Sequence, residues 1–167
     1  MFRQATVKDI VRLQKILVEA WKTTYAGLYS EAYIHNVIEI YYNLDRLRQE
    51  TTVFSKAWSG YYVWENDGNI VGCIGGGIDG AGVGEIYVFY LDPQEKRKGY
   101  GRLLLDAFTS IQKQDYSIKK QVVAVTKGNR MGIPFYERMG FVDEGIRIPA
   151  MPVMNEHEYS LVMSRDV

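Results

Sequence analysis

The stretch Lys96-Arg97-Lys98-Gly99-Tyr100-Gly101-Arg102-Leu103-Leu104-Leu105 packs cations and two glycines where an alternating apolar segment gives way to a helical one. Gly99 and Gly101 let the backbone turn and approach a ligand with no Cβ in the way. The helix that follows is read from Leu104, Phe108 and Ile111, spaced i, i+4, i+7. The first turn of a helix leaves amides unpaired and carries the positive end of the dipole. Phosphate oxygens there gain hydrogen bonds and about 0.3–1 kcal/mol of attraction. Lys96, Arg97, Lys98 and Arg102 add charge, which makes the stretch a candidate pyrophosphate seat. On its own, a solvated basic turn would read the same way.

Residues 129–141 run Asn-Arg-Met-Gly-Ile-Pro-Phe-Tyr-Glu-Arg-Met-Gly-Phe. With the glycine loop, this resembles the GNAT superfamily of acetyl-CoA-dependent N-acetyltransferases. The pattern of that superfamily runs from a strand through a proline into Arg/Gln-x-x-Gly-x-Gly/Ala at a helix start. It resumes about thirty residues on with Asn, a short helix bearing Phe-Tyr, and Gly-Phe. Pro93, Gly99, Gly101, Asn129, Phe135, Tyr136, Gly140 and Phe141 all fall in place, while Lys96 stands where Arg or Gln is usual. The likeness spans about residues 2–163 and is sharpest from Glu85 to Phe141. It implies a mixed α/β (α+β) fold, a central, mostly antiparallel twisted sheet with helices on both faces. It also implies acetyl-CoA as cosubstrate, attacked directly by a primary amine in a ternary complex.

Amide formation from a thioester needs a neutral amine, a polarised carbonyl and a proton for the leaving thiolate. An alkylamine with a pKa near 10.4 is about one part in a few thousand neutral at pH 7, so a base matters. Glu85 lies eleven residues before Lys96, the offset at which the histone-acetyltransferase branch that this sequence resembles carries its base. A water relay is the alternative. Strand alternation would put Glu85, Tyr87 and Phe89 on one face and Ile86, Val88 and Tyr90 on the other. The resemblance gives Tyr136 the role of acid toward the thiolate, and the backbone of Phe89, Tyr90 and Leu91 that of pairing the pantetheine arm and polarising the carbonyl. Asn129 lies seven residues before Tyr136. It shares a helix face with it if one helix covers both, or sits in the preceding loop if Pro134 delays the helix. Arg97, Lys98, Gly99, Tyr100, Gly101, Arg102 and Asn129 are thus the expected cosubstrate-binding residues. Trp21, Tyr25 and Tyr29 are either a core stripe or the wall of the acceptor site, where an aromatic surface suits a cationic amine.

The 167 residues, 47% hydrophobic and 24% charged, are expected to form one domain (1–167) with a real core. A formal net charge of zero argues against a nucleic-acid or membrane binder. No run approaches the roughly 18 apolar residues of a membrane span. Cys73 has no cysteine partner, and the N-terminus carries no signal-like run, so a cytoplasmic location is expected. Between Gly72 and Ile74, Cys73 reads as a small buried hydrophobe. His35 and His157 lack metal-like spacing, and no metal is expected. A homodimer stays open.

Helices are expected over residues 7–21, 31–40 and 44–54, with Thr6 as N-cap and Asp9 at the third helical position. Residues 23–30 read as a looser connection. Strands are expected over 2–6, 61–64, 70–78, 85–91 and 120–126, with an Asp67-Gly68 hairpin turn after the second. A closing hairpin covers 141–148 and 158–163, joined by a Pro149–Pro152 loop. Gly75-Gly76-Gly77 inside a strand marks a loose or bulged strand, the approach of another backbone, or clearance beside the acyl or acceptor pocket. Two other functions stay in view, a non-enzymatic acyl-CoA sensor and acetylation of protein amines. A dinucleotide or P-loop site is opposed by the lack of a third glycine and of a Gly-Lys-Ser/Thr ending.

Overall fold

A computed structural model of the protein describes residues 1–147 and 159–167. The Pro149–Pro152 loop, His157 and the first residue of the expected last strand lie outside the described residues. In chain order the elements are β1 (Phe2–Gln4), α1 (Ile10–Tyr25), α2 (Glu31–Tyr41), α3 (Leu44–Glu50), β2 (Tyr61–Asn66) and β3 (Asn69–Ile78). Then follow β4 (Gly84–Leu91), α4 (Tyr100–Tyr116), β5 (Lys120–Thr126), α5 (Gly132–Arg138), β6 (Val142–Arg147) and β7 (Ser160–Asp166). The strands form one seven-stranded sheet in the order β1-β2-β3-β4-β5-β7-β6, antiparallel except for β4 against β5.

Helices cover both faces. Leu13, Ile16 and Leu17 of α1, with α2 and Leu47 of α3, pack on Tyr61, Val63 and Cys73. Leu104, Leu105 and Phe108 of α4, with Tyr136, pack on Tyr62, Ile74, Ile86, Val123 and Val125 on the other side. Adjacent residues such as Tyr61 and Tyr62, or Cys73 and Ile74, thus serve opposite cores, which is why the central strands read as nearly continuous apolar runs.

Local chemistry accounts for most boundaries. Asp67 and Gly68 both take positive φ, 48° and 75°, giving the tight β2–β3 hairpin its mirror-image turn. A one-turn 3-10 segment, Val7–Asp9, precedes α1, and the Asp9 carboxylate accepts from the Thr6 amide at 2.8 Å. Two expected helix ends move. α1 continues through Thr23 and Thr24 to Tyr25, because Trp21 and Tyr25 are held in the core beneath it. α3 stops at Glu50 rather than near Phe54. There the Thr51 and Thr52 hydroxyls donate to the carbonyls of Leu47 and Arg48, and the chain turns to cross β3.

That crossing explains the glycine triplet. The Ser59 amide donates to the Gly76 carbonyl and the Ile78 amide to the Lys56 carbonyl. A Cβ on Gly77 would fall 2.2 Å from the Ala57 carbonyl oxygen, and one on Gly75 would fall 2.8 Å from the Trp58 ring. The triplet therefore admits another stretch of backbone, and the space beside it is filled by Ala57 and Trp58 rather than by a pocket.

The same place corrects the expected alternation of β4. Gly75 pairs with Val88 but Gly76 with Ile86, so Tyr87 is an extra residue in a bulge. Parity reverses across it. Ile86, Phe89 and Leu91 face the α4 side, while Val88 and Tyr90 face the α1 side. Glu85, next to Ile86, consequently shares the face of Val88 and Tyr90, not that of Phe89.

Candidate active site

β4 and β5 are paired only through Gly84–Ile86 and Gln121–Val123. Beyond that point they diverge, and residues 87–91 keep an edge with no ladder partner on the β5 side among the described residues. The Asp92 amide donates to the Val71 carbonyl of β3. By alternation, Phe89 and Leu91 turn their amides into the gap. A cleft of about 580 Å³ opens there, walled by Phe89, Tyr90 and Leu91, by the glycine loop and by α5.

At the mouth, Arg97 and Gly99 take positive φ, 66° and 86°. Two left-handed residues so close together curl the chain and aim its amides inward. Gly99 is the N-cap of α4 and offers no side chain to its first amides, and a Cβ on Gly101 would meet the Phe135 ring at 3.3 Å. A helix start with unfilled donors thus faces the cleft, beside the side chains of Lys96, Arg97 and Arg102. These features fit an anionic diphosphate. Lys96, in the place of the usual Arg or Gln, lies against Met131 Sδ at 3.4 Å, and burial lowers its pKa. Two expected residues stand apart: Lys98 pairs with Glu95 at 2.9 Å, and Tyr100 is not part of the cleft wall.

The β5–α5 turn is organised by Asn129. Its Oδ1 accepts from the amides of Met131 and Gly132, at 3.1 and 2.8 Å, and so caps α5 from the preceding loop. Asn129 therefore lies in the loop, not one helix face away from Tyr136. Tyr136 is 7% exposed, ringed by Phe89, Phe135 and Phe141 with centroids 6.3, 5.3 and 5.2 Å away. It borders the cleft, and its hydroxyl has no hydrogen-bond partner among the described residues. Burial raises its pKa well above that of a free tyrosine.

Trp21 and Tyr25 are core residues. Trp21 Nε1 donates to the Tyr42 hydroxyl at 2.9 Å, and the Tyr90 and Tyr25 hydroxyls lie 3.3 Å apart. Tyr29 is half-buried and packs on Tyr25 and Tyr33. The three thus stand behind Tyr90, whose side chain forms the cleft wall. Ala20 and Thr24, one position before Trp21 and Tyr25, line the cleft instead. Cys73 is fully buried, which pushes its thiol up to about 12 and leaves it unreactive.

Glu85 sits at the paired end of β4, outside the cleft wall. Its Oε1 accepts from Arg147 of β6 and its Oε2 from the Tyr87 hydroxyl, both at 3.1 Å. Arg130 and Arg138, which sequence reasoning passed over, both line the cleft and have no ion pair among the described residues. Their flanking position around the Phe-Tyr helix was the available signal. Among the described residues, no group of three His, Cys, Asp or Glu could hold a metal ion, and no helix is long and apolar enough to cross a membrane.

Comparison with known proteins agrees with this geometry. Residues 15–141 match the Acetyltransferase (GNAT) family. The chain is 29% identical over 147 residues to a spermidine N(1)-acetyltransferase of Thermoplasma acidophilum, covering 83% of this chain and 86% of that protein. Its fold is similar to that of the PaiA N-acetyltransferase of Thermoplasma acidophilum, solved in complex with coenzyme A. That match has a TM-score of 0.78 and 23% identity, covering 100% of this chain and 98% of the other. It is also similar to a GCN5-related N-acetyltransferase of Rhodopseudomonas palustris, with a TM-score of 0.81 and 16% identity, covering 100% and 95%. With more than half of its length matched to the family, the chain belongs to the GNAT acetyltransferases and is an acetyl-CoA-dependent N-acetyltransferase.

Proposed function

We propose that this enzyme acetylates a primary amine of a small, cationic, polyamine-like molecule by direct attack within a ternary complex. The observation that carries the reading is the gap between β4 and β5, with unpaired strand amides on one side, the Tyr136 hydroxyl on the other and a cationic glycine loop at its mouth. The likeness to a spermidine N(1)-acetyltransferase supports the acceptor class.

Acetyl-CoA supplies the acetyl group as an activated thioester. The loop amides near Gly99 and the side chains of Arg97 and Arg102 hold its diphosphate, and Arg130 and Arg138 offer further cations on the α5 wall. Amides of Phe89 and Leu91 pair the arm and draw charge toward the acyl oxygen. Glu85, directly or through water, takes the proton that the ammonium must lose before its nitrogen can attack. The N–C bond forms, the nitrogen passes its second proton to water, the C–S bond breaks, and Tyr136 gives its proton to the departing sulfur and is reprotonated from solvent. The high pKa that burial imposes keeps Tyr136 protonated for that task at neutral pH.

Thiol release from acetyl-CoA, measured with spermidine, single amino acids and a peptide with a free N-terminus, tests the acceptor class. Spermidine should give the highest kcat/KM. A clear preference for the peptide would replace this reading with acetylation of protein amines, and thiol release with none of them would reopen the acyl-CoA sensor.

A further inference from the structure

Behind the cleft, α5, α4, β5 and β7 are joined to the bulge of β4 by side-chain hydrogen bonds that no step above uses. Arg165 of β7 lies opposite Gln121 in the ladder. Its Nη1 donates to the Met139 carbonyl at the C-terminal end of α5 at 2.8 Å, its Nη2 to Thr109 Oγ1 of α4 at 2.9 Å, and its Nε to Gln121 Oε1 at 3.1 Å. The guanidinium also lies over the Phe141 ring, 4.7 Å from its centroid. Gln121 Nε2 donates to Gln112 Oε1 at 2.8 Å. Gln112 Nε2 donates to the Gly77 carbonyl at 3.0 Å and to the Glu85 carbonyl at 3.3 Å.

The polarity of this chain is forced. Arginine only donates, so Gln121 must turn its oxygen to Arg165 and its nitrogen to Gln112, which then turns its own nitrogen to the two carbonyls. Each amide fixes the next, and Gln112 and Gln121 are 1% and 0% exposed, so no water competes. Gly84 makes the room, since a Cβ there would fall 2.8 Å from Gln112 Oε1.

Arg165 is a poor device for stability alone. It is partly buried, burial lowers its pKa against a smaller opposing pull from Asp106, and it forms no direct ion pair among the described residues. A half-buried cation whose hydrogen bonds all go to neutral groups costs free energy that an apolar side chain of similar size would avoid. What it supplies is a fixed point for α5. A helix of seven residues is too short to hold itself, so tertiary ties decide its position.

We propose that Arg165, Gln121 and Gln112 form a positioning brace that fixes α5 against the paired base of β4, and so aligns the Tyr136 hydroxyl with the acyl group held by β4. This rests on the acid role given to Tyr136. The residues touch no substrate and act through Tyr136 and the strand.

Arg165→Met removes the donors and keeps the bulk. Gln112→Met cuts the far end of the chain and leaves the Met139 carbonyl bonded. Each should lower kcat about tenfold or more, with KM for acetyl-CoA within about threefold, because the glycine loop is untouched. Arg165→Lys, which keeps the charge and one donor, should recover part of the loss. Combined with Tyr136→Phe, the loss should not multiply, since the brace works through the hydroxyl that is gone. Wild-type kcat in both variants, a rise in KM without a fall in kcat, or a multiplicative double variant would each overturn the brace. Amide exchange over residues 132–138 in the coenzyme A complex reads the brace without turnover. Arg165→Met should quicken it about tenfold, and wild-type protection overturns the brace whatever Tyr136 does. Tyr136→Phe with wild-type turnover would instead refute the acid role, leaving exchange to judge the brace. If Arg165→Met does not fold, Gln112→Met carries the same measurements.

Discussion

Tyr136→Phe separates catalysis from folding more cleanly than any other substitution at the cleft. The hydroxyl has no hydrogen-bond partner among the described residues, and the ring keeps its contacts with Phe89, Phe135 and Phe141 when the oxygen is removed. No buried donor or acceptor is orphaned, so stability should change by no more than about 0.5 kcal/mol, roughly 1–2 °C in Tm for a chain of this size. The acid role predicts a very different scale for turnover. A thiolate that leaves without a proton should lower kcat by roughly 10²–10⁴-fold, about 2.7–5.5 kcal/mol of transition-state stabilisation. Affinity for acetyl-CoA should stay, because the phosphate loop is not touched. Rapid-quench measurement of a single turnover, with amine saturating, isolates the chemical step. A near-normal single-turnover rate would refute the acid role, and a Tm lowered by many degrees would show that the hydroxyl supports the fold instead. Burial holds the tyrosine pKa well above its ordinary value, so the wild-type rate should show no loss of a protonated tyrosine up to pH 9.

Gly99→Asp should weaken acetyl-CoA at least tenfold by calorimetry: a Cβ there has open space, but φ is 86° and a carboxylate would repel the diphosphate. Unchanged affinity in the folded variant would move the phosphate seat elsewhere. Glu85→Gln keeps shape and loses basicity, so the rate at pH 7 should fall and the deficit should shrink as pH nears the amine's own pKa. A deficit equal at every pH would make Glu85 an electrostatic or structural residue. Asp9 is held down to about 2 by the Arg3 guanidinium, which donates at 2.8 and 3.0 Å. Its folded pKa lies below the unfolded value near 3.8, so its stabilisation is present above pH 4 and lost as pH falls toward 2. Asp9→Asn should cost about 2 kcal/mol in urea melts at pH 7, with the gap closing at pH 2.

Much of the fold was legible because its signals are local. The Asp67-Gly68 pair takes the two positive φ values of a hairpin turn. The apolar spacing of α4 buries Leu104 and Phe108, and Gly99 provides the left-handed start that the loop needs. What escaped depends on partners distant in sequence. The end of α3 is set by a chain that turns to cross β3, and the glycine triplet by the Ala57 carbonyl that approaches it. Trp21 and Tyr25 have a helical spacing that fits a pocket wall and a core stripe equally, and only the docking of α2 and Tyr90 separates the two. Arg130 and Arg138 carry no motif of their own. Their place at the cleft follows from the direction in which Asn129 starts α5.

The bulge at Tyr87 ties these pieces to the proposed chemistry. Without it, strict alternation would set Glu85 on the face of Phe89, on the same side as α4, α5 and the glycine loop. One extra residue reverses parity and puts Glu85 on the face of Tyr90 and the α1 aromatics. In the proposed roles, the base for the acceptor and the seat for the donor occupy opposite faces of one sheet, which meet at the gap where β4 and β5 separate. An amine arriving from the α1 side can meet a thioester threaded from the α4 side without either displacing the other, which is what direct transfer in a ternary complex requires. Val88 and Phe89, just past the bulge, are then the point at which the two faces exchange, and their backbone rather than their side chains carries the geometry.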